Sequence, residues 1–535
     1  SRTVCIIIYI TIGYMIFKEI TSNCIWPLIV HVAALVLLLQ GCASPLPSTS
    51  LPESFSPPRD PAAVAWRPLR NNLPGHDAQT SWFDVQAVGP EALRWRLAMM
   101  DTAVHTLDAQ YFLWKDDAVG SLLLERLLQA ADRGVRVRLL LDDSFLYGED
   151  ELMLAVDAHP NVEMRIFNPF AVRSDSVLLR YLENLNDNAR INHRMHNKLL
   201  IADSEVAIVG GRNIADEYFG FDRQLNFRTF DVLTTGAVLP QITASLDRYW
   251  NSDQAYPVSM VNHRQGRVEE LAGLRQRLRS TAAVLDGWLA GADVAPEGMP
   301  ERWAGLARRL LPGAAMLHQD DPDIMNGLPV QAADGAVSYF RRAREEAMSI
   351  SAYLVPSDAL LKVAQELTQR GVRIRVLTNS LASNNHIAAH TAYRHRRRQI
   401  VEAGVELHEL QPDAPERAAF EAPGFTAEHV GLHAKLLVLD GRYSFVGTIN
   451  ADPRSMVLNT EVSLLIDSTA VAERILAAFA PDFLPQNSWR VRLDEADGSL
   501  RWHGADGVLE RQPAGSHVRR LADFFFGLLP IDEQM

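Results

Sequence analysis

Histidine and lysine stand two residues apart at two places in the chain, His196 with Lys198 and His433 with Lys435. Each pair enters an apolar run of strand-like composition, KLLIA in the first case and KLLVL in the second. Because side chains two residues apart on a strand share a face, each imidazole projects beside an ammonium group. The chain contains five lysines, and two of them occupy these matched positions. The pattern suits an anionic ligand with a reacting phosphorus atom.

Each apolar run ends at an aspartate that begins a turn. Asp203 and Ser204 precede the strand-like segment VAIVGG, and Asp440 with Gly441 forms a strong hairpin signal. We therefore expect Asp203 and Asp440 to organise these turns and not to contact phosphorus.

The chain contains an internal repeat. The segment ADRGVRVRLLLDD (131–143) is similar to TQRGVRIRVLTNS (368–380), and HNKLLIADSEVAIVGGRN (196–213) is similar to HAKLLVLDGRYSFVGTIN (433–450). Both matches have the same spacing of 237 residues. Two matches at one spacing indicate that a structural unit is duplicated.

Each half alternates helical and strand-like patterns, which predicts an α/β fold with a mixed sheet. Helices are expected near residues 90–104, 119–133, 336–348 and 358–370. The predicted organisation is a targeting segment (1–42), a proline- and serine-rich tether (43–75), a first repeat (76–255), a helical insertion (256–330), a second repeat (331–490) and a carboxyl-terminal extension (491–535).

The two halves resemble the phospholipase D superfamily, whose signature HxKxxxxD occurs at residues 196–203 and again at residues 433–440. The resemblance extends to the GGRN and GTIN segments that follow and covers roughly residues 80–490. It implies two α/β/α sandwich repeats with mixed sheets, related by a pseudo-twofold axis, with one active site at their interface. The signature residues expected to form that site are His196, Lys198, Asp203, His433, Lys435 and Asp440.

Phosphodiester exchange needs a nucleophile, an acid for the leaving alkoxide and groups that bind the nonbridging oxygens. The resemblance assigns the nucleophile to His196, which would form a phosphohistidine, and the acid to His433. The near symmetry of the halves leaves this order open. The side chains expected to bind the phosphate oxygens are Lys198, Lys435, Asn213 and Asn450.

Each catalytic histidine also needs a carboxylate on its second ring nitrogen. By position we expect Asp231 in NFRTFDV and Glu461 in LNTEVSL to supply it. His193 is expected to be structural. The reaction requires no metal or cofactor, although the spacing in HRMH leaves a metal site as an alternative.

The segments around the motifs narrow the reaction. NHRMHNK, GGRNIADEYFG and VGTINADPRSMVLNTE resemble bacterial cardiolipin synthases, which transfer a phosphatidyl group to the glycerol headgroup of phosphatidylglycerol. Phosphatidylethanolamine is a second candidate substrate. The alternatives are a hydrolytic phospholipase D that releases phosphatidic acid, and a non-catalytic lipid-binding surface lipoprotein.

The net charge of −13 over 535 residues argues against broad nucleic-acid binding, which usually needs a positive surface. It leaves room for a locally basic pocket. All three cysteines lie within the first 42 residues, so the downstream domains are expected to have neither a disulfide nor a thiolate metal site.

The amino-terminal region has the pattern of a targeting segment. The apolar run IWPLIVHVAALVLLLQGC ends at Cys42, and LQGC resembles the bacterial lipoprotein box, which implies lipidation of Cys42. The alternative is an uncleaved signal anchor. In both cases we expect a protein of the bacterial cell envelope, anchored at a membrane surface, with a periplasmic catalytic part.

Overall fold

The computed structural model describes residues 51–526 apart from 76, 293–295 and 329. The expected targeting segment with Cys42, and residues 43–50 of the expected tether, lie outside the described residues. Within the described part, no helix combines the length and the apolar character needed to cross a membrane.

The strands fall into two matching series. Those of the first half are β1 (Ser81–Gln86), β2 (Thr106–Tyr111), β3 (Arg136–Asp142), β4 (Val162–Phe167), β5 (Leu199–Ala202), β6 (Val206–Gly210), β7 (Leu225–Arg228), β8 (Asp231–Gly236) and β9 (Ala255–Pro257). Those that follow are β10 (Leu311–Gln319), β11 (Glu346–Ser351), β12 (Arg373–Asn379), β13 (Glu406–Leu410), β14 (His429–Leu432), β15 (Lys435–Leu439), β16 (Tyr443–Gly447), β17 (Val462–Asp467), β18 (Ser488–Leu493), β19 (Leu500–Gly504) and β20 (Gly507–Leu509).

The helices cover the outer faces of the sheets and connect their strands. Up to the end of the first repeat they are α1 (Arg67–Arg70), α2 (Gly89–Thr102), α3 (Ala118–Asp132), α4 (Asp150–Asp157), α5 (Val177–Glu183), α6 (Asn188–Ile191), α7 (Asp216–Phe219) and α8 (Leu239–Trp250). The later helices are α9 (Val258–Val261), α10 (Val268–Ala282), α11 (Asp286–Gly291), α12 (Met299–Arg309), α13 (Ala332–Phe340), α14 (Asp358–Gln369), α15 (Ile387–Glu402), α16 (Thr469–Phe479) and α17 (His517–Phe526).

Both repeats have the same mixed sheet. The strand order is β1-β8-β6-β5-β2-β3-β4-β9 in the first repeat and β10-β17-β16-β15-β11-β12-β13-β18 in the second. The central strands β2, β3 and β4 are parallel, as are β11, β12 and β13, and their other neighbours are antiparallel. The expected α/β fold with two mixed-sheet repeats is confirmed.

The two sheets are joined through strands and through a shared core. β1 pairs with β10 in antiparallel register, with Phe83 opposite Leu311, and β7 pairs with β14 in parallel. One hydrophobic cluster contains Ile201 and Val209 from the first repeat together with Val438 and Val446 from the second. This packing holds the two motif-bearing strands β5 and β15 in fixed positions relative to each other.

The prediction of a helical insertion over residues 256–330 is wrong for its last part. Residues 256–310 are largely helical, but β10 is the first strand of the second repeat and pairs with β17 as β1 pairs with β8. The sequence does not predict this strand because Pro312 and Gly313 are unusual in strand interiors. Two other predicted boundaries also differ from the structure. The helix expected at 336–348 ends at Phe340, and β18 to β20 continue the sheet into the expected carboxyl-terminal extension.

The prediction of an extended tether is wrong for residues 51–75. The side chain of Trp66 is fully buried, and its ring centroid lies 5.0 Å from that of Trp303 in α12. Its indole Nε1 donates a hydrogen bond to the Asp203 carboxylate at 2.7 Å. Leu69 is also fully buried. The proline-rich segment therefore packs on the first repeat, anchored by a few large side chains and not by periodic ones.

We expect Trp66→Ala to lower the free energy of unfolding by about 3–5 kcal/mol, because it empties a buried ring site and removes a partner of Asp203. Urea unfolding measures the change. The control is Val64→Ala, since Val64 is 64% exposed; its effect should stay within about 0.5 kcal/mol. Equal, small effects of both substitutions would show that the segment does not dock.

Candidate active site

Each motif histidine is held in place by the other repeat. The main-chain N–H of His196 donates to the carbonyl oxygen of Thr460 at 2.9 Å, and that of His433 donates to the carbonyl oxygen of Arg228 at 2.8 Å. These two contacts are equivalent under the repeat symmetry. The site therefore requires both halves of the chain, as the resemblance implied.

The two lysines sit beside their histidines. Lys198 Nζ donates to the carbonyl oxygen of His196 at 2.6 Å, and Lys435 Nζ donates to that of His433 at 2.8 Å. All four side chains are buried, with at most 7% of any residue exposed. The structure thus brings together the two imidazoles and two ammonium groups that the sequence predicted.

Burial controls the charge of this cluster. Burial and the nearby Lys198 and Lys435 charges lower the pKa of His196 well below its usual value, and the same causes act on the pKa of His433. Burial lowers the pKa of Lys198 to about 7, and burial and Lys198 lower the pKa of Lys435. Without an anion, both histidines are therefore neutral near pH 7. A bound phosphodiester would supply the missing negative charge and raise the pKa values of all four groups.

Glu461 contacts His196 as expected from its position in the sequence. The two carboxylate oxygens lie 3.0 and 2.8 Å from His196 Nδ1. Burial raises the pKa of Glu461 to about 7. Its main-chain N–H donates to the Asp320 carboxylate at 2.9 Å, which fixes the start of β17. With Nδ1 bound to the carboxylate, Nε2 is the ring nitrogen left for a substrate.

Asp231 does not contact His433, so this prediction is wrong. Its carboxylate accepts hydrogen bonds from Arg96 at 2.8 Å and from the Arg212 side chain at 3.1 Å. Burial alone would raise the pKa of Asp231, but the charges of Arg212 and Arg96 outweigh it and lower the pKa. His433 Nδ1 instead lies 3.2 Å from the carbonyl oxygen of Gly211.

Strand register explains the error. Gly210 faces Asp231 across the β6–β8 pair, whereas the equivalent Gly447 faces Ser463 across the β16–β17 pair. Asp231 therefore corresponds to Ser463, and the position that corresponds to Glu461 holds Thr229. The similar dipeptides DV and EV suggested an alignment that is two residues out of register. Consequently one histidine faces a carboxylate and the other a main-chain carbonyl.

The motif aspartates bind main-chain amides of a segment distant in the sequence, in addition to beginning their own turns. The Asp203 carboxylate accepts the N–H groups of Val104, His105 and Thr106 at 2.7–2.9 Å. Asp440 accepts those of three consecutive residues of the second repeat, Arg344, Glu345 and Glu346. Each aspartate thus fixes the start of the strand that pairs with its own motif strand.

Asn213 and Asn450 occupy equivalent buried positions. Asn213 Nδ2 donates to the hydroxyl oxygen of Tyr218 at 2.9 Å, and the main-chain N–H of Asn450 donates to Ser455. In each asparagine, the buried Oδ1 atom has no hydrogen-bond partner among the described residues. Their role in phosphate binding stays a prediction. His193 Nδ1 lies 2.7 Å from the carbonyl oxygen of Leu458, consistent with a structural role.

Several side chains at the site were not predicted. The Phe112 ring packs edge-on against His196, and Tyr218 does the same against His433, each with ring centroids 5.0 Å apart. Arg454 is half-buried and its charge contributes to the low pKa of His196. Phe112 follows β2, Tyr218 lies in α7 and Arg454 lies after β16, and none of these placements carries a signal in a single sequence.

The family model described as "Cardiolipin synthase, PLD-like domain" matches residues 97–250 and 337–483, which are the two repeats. The chain belongs to this family. It is thus a cardiolipin synthase-like enzyme of the phospholipase D family, as the sequence resemblance implied.

Individual relatives agree with this family. Cardiolipin synthase C of Escherichia coli (strain K12) is 35% identical over 493 residues, which cover 88% of this chain and 98% of that protein. A cardiolipin synthase of Geobacillus kaustophilus (strain HTA426) is 24% identical over 435 residues, 77% of this chain and 70% of that protein. The crystal structure of phosphatidylserine synthase from Haemophilus influenzae Rd KW20 shares the fold, with a TM-score of 0.55 and 13% identity, over 88% of this chain and 100% of that chain.

The two carboxylates should respond differently to neutralisation. We expect Glu461→Gln to lower kcat by about 10²–10⁴-fold if His196 is the nucleophile, because the ring would lose the carboxylate that stabilises the positive charge developing on it. Asp231→Asn should instead lower the free energy of unfolding by about 3–5 kcal/mol, since Arg96 and Arg212 lose their counter-charge. Turnover and urea unfolding measured on both variants check this. Normal turnover in Glu461→Gln would contradict the assignment.

The site should take up protons when it binds an anion. Lys198 has a pKa of about 7 in the empty site, and a bound anion raises it, so the complex holds more protons than the free enzyme. Affinity for sulfate, whose charge is constant in this range, should therefore fall as the pH rises above 7. Calorimetric titration in two buffers of different ionisation enthalpy measures the uptake. Lys198→Arg should take up fewer protons because arginine stays charged. Proton release on binding would contradict the account.

Proposed function

We propose that the protein transfers a phosphatidyl group from a phospholipid donor to the headgroup hydroxyl of phosphatidylglycerol, through a phosphohistidine at His196. The main support is the geometry of one site built from two half-sites. In it His196 faces Glu461, and two buried lysines can bind an anion. The cardiolipin synthase C of Escherichia coli, which aligns over nearly its whole length, supports the reaction class.

In the first step, Nε2 of neutral His196 attacks the phosphorus of the donor. The new P–N bond forms as the P–O bond to the departing headgroup breaks, and a protonated His433 donates its proton to the leaving oxygen. Bound phosphate favours that proton because its negative charge raises the pKa of His433. Glu461 stabilises the positive charge that develops on the ring of His196.

In the second step, His433 accepts the proton of the incoming hydroxyl. The hydroxyl oxygen attacks phosphorus, the P–N bond breaks and His196 leaves as a neutral ring. Lys198 and Lys435 bind the nonbridging oxygens in both steps, when charge on them is greatest. The asymmetry of the site supports this order, because the ring that becomes cationic on attack is the one that faces a carboxylate.

Hydrolysis would use the same intermediate, with water in place of the lipid hydroxyl. The ratio of the two outcomes depends on how well the site excludes water while the acceptor binds. A lipid-binding protein without activity would not need two buried imidazoles, one of them in contact with a carboxylate, so we place this alternative last.

We further propose that Cys42 carries a lipid anchor and that the catalytic part faces a membrane surface in the cell envelope. Acyl chains at this position would keep the enzyme beside its lipid substrates. Mass measurement of a peptide that begins at Cys42 tests this proposal, and an unmodified, internal Cys42 would contradict it.

The direct test of function uses purified protein and labelled phosphatidylglycerol, alone and with phosphatidylethanolamine, followed by lipid separation. We expect cardiolipin from the native protein and at least a thousandfold loss in His196→Ala and in His433→Ala, because each removes a group that bonds to a reacting atom. The control is His429→Ala, since this exposed histidine lies on β14 just before the motif. Phosphatidic acid alone would indicate hydrolysis, and no lipid product in the native protein would reject the proposal.

A further inference from the structure

An apolar cavity lies in the second repeat, between helices α13 and α14 and the outer face of the sheet. Its volume is about 130 Å³ and it is open on one side. The walls are formed mainly by Val337, Phe340, Leu360, Ala364, Ile374 and Val376. Leu360 and the neighbouring Leu361 are only half-buried, so apolar surface remains uncovered at the opening.

The inner end of this cavity reaches the active site. Lys435 and Asn450, which we expect to bind the phosphate, also line the cavity, as do Gly447 and Ser351. Lys435 Nζ lies 3.1 Å from His433 Nδ1. A ligand whose phosphate contacts Lys435 therefore lies beside the cavity, since Lys435 and Asn450 belong to its lining.

The same volume is filled in the first repeat. There the buried Arg96 donates to Asp231 at 2.8 Å, and Tyr111, also buried, contacts Arg96. These three side chains form a polar cluster, the Arg96–Tyr111–Asp231 cluster, which occupies the space between α2 and the sheet.

The repeat symmetry identifies what replaces this cluster in the second repeat. Asp231 corresponds to Ser463 by strand register. Gln110 and Ile350 face the equivalent residues Leu199 and Leu436, so the next residue of each strand, Tyr111 and Ser351, also correspond. Ser351 is much smaller than Tyr111, and Ser463 is smaller than Asp231 and carries no charge.

Arg96 is also replaced by a smaller residue in the second repeat. The N–H of Val104 binds the motif aspartate of the first repeat, and that of Arg344 binds the motif aspartate of the second. Counting back equally from these two residues reaches Arg96 and Ala336. Ala336, Ser351 and Ser463 all line the cavity. The cavity exists because Arg96 and the two side chains that it contacts in the first repeat are replaced by smaller side chains in the second.

We propose that this cavity binds the first segment of an acyl chain of the phospholipid whose phosphate occupies the active site. The inference rests on the proposed function and adds to it, because it assigns the lipid chain to the second repeat and excludes it from the first. An open apolar cavity beside a phosphate-binding lysine matches the chemistry of an acylated phosphodiester, since water in such a cavity finds few polar partners.

The first experiment fills the cavity and compares substrates of different chain length. Ala364→Phe and Ala336→Phe each place a ring in it, and Ala359→Phe, at an exposed position of α14, is the matched control. The measured quantity is the ratio of turnover on dioleoyl to turnover on dihexanoyl phosphatidylglycerol. Hydrolysis of bis(4-nitrophenyl) phosphate, which has no acyl chain, monitors the catalytic groups.

We expect the filling variants to lower the long-to-short ratio at least tenfold while the rate on bis(4-nitrophenyl) phosphate stays within twofold of the native rate. The control should keep the native ratio. An unchanged ratio in filling variants that retain activity would overturn the inference. If all rates fall together, the ring has displaced Lys435, and the second experiment decides.

The second experiment uses the unaltered protein and phosphatidylglycerol with a photoactivatable diazirine on the acyl chain, near the glycerol. We expect cross-links in the peptides that contain α13 or α14, and their loss in Ala364→Phe. Cross-links elsewhere, without any in these helices, would overturn the inference. Absence of lipid turnover in the native protein would reject the proposed function, whereas the site of cross-linking is independent of turnover.

Discussion

The contact between His196 and Glu461 joins side chains from opposite halves of the chain, with 2.8 Å between Nδ1 and a carboxylate oxygen. A hydrogen bond from the main-chain N–H of His196 to the carbonyl oxygen of Thr460 holds the backbones of the same two segments together. The reactive geometry of the first motif therefore exists only when the second repeat is docked. Three features set the position of one motif strand relative to the other. They are the pairing of β1 with β10, the shared apolar core and the hydrogen bonds from main-chain amides to the Asp203 carboxylate.

The second constraint is electrostatic. Two lysines and two histidines are buried together, and burial lowers the pKa of each of them. Such a cluster carries a free-energy cost while it is empty, since buried charge without a partner is unfavourable. A phosphodiester anion removes that cost. In the proposed mechanism binding and catalysis are thus linked, because the negative charge that holds the substrate would also favour the protonated form of His433 that releases the leaving group.

Much of this arrangement follows from the sequence, and the failures have identifiable causes. The repeat placed His196, Lys198, His433 and Lys435 correctly because strand periodicity and duplication are local signals. Asp231 was misassigned because strand register depends on pairing across the sheet, which a single sequence does not contain. Trp66 was missed because one large side chain can dock a segment that lacks any periodicity, and β10 because Pro312 and Gly313 weaken its strand pattern. The cavity of the second repeat likewise depends on Ala336, Ser351 and Ser463, which come together only in the folded protein.

In the proposed mechanism His196, the histidine that faces Glu461, forms the bond to phosphorus. The enzyme is mixed with phosphatidylglycerol, quenched rapidly in denaturant at neutral to mildly alkaline pH, which preserves phosphohistidine, and its peptides are analysed by mass spectrometry. We expect a phosphatidyl adduct on the peptide that contains His196. With a 4-nitrophenyl phosphodiester, whose leaving group needs no proton, the same adduct should form in His433→Ala. An adduct on His433 in the native enzyme, or turnover without an adduct on either histidine, would contradict this mechanism.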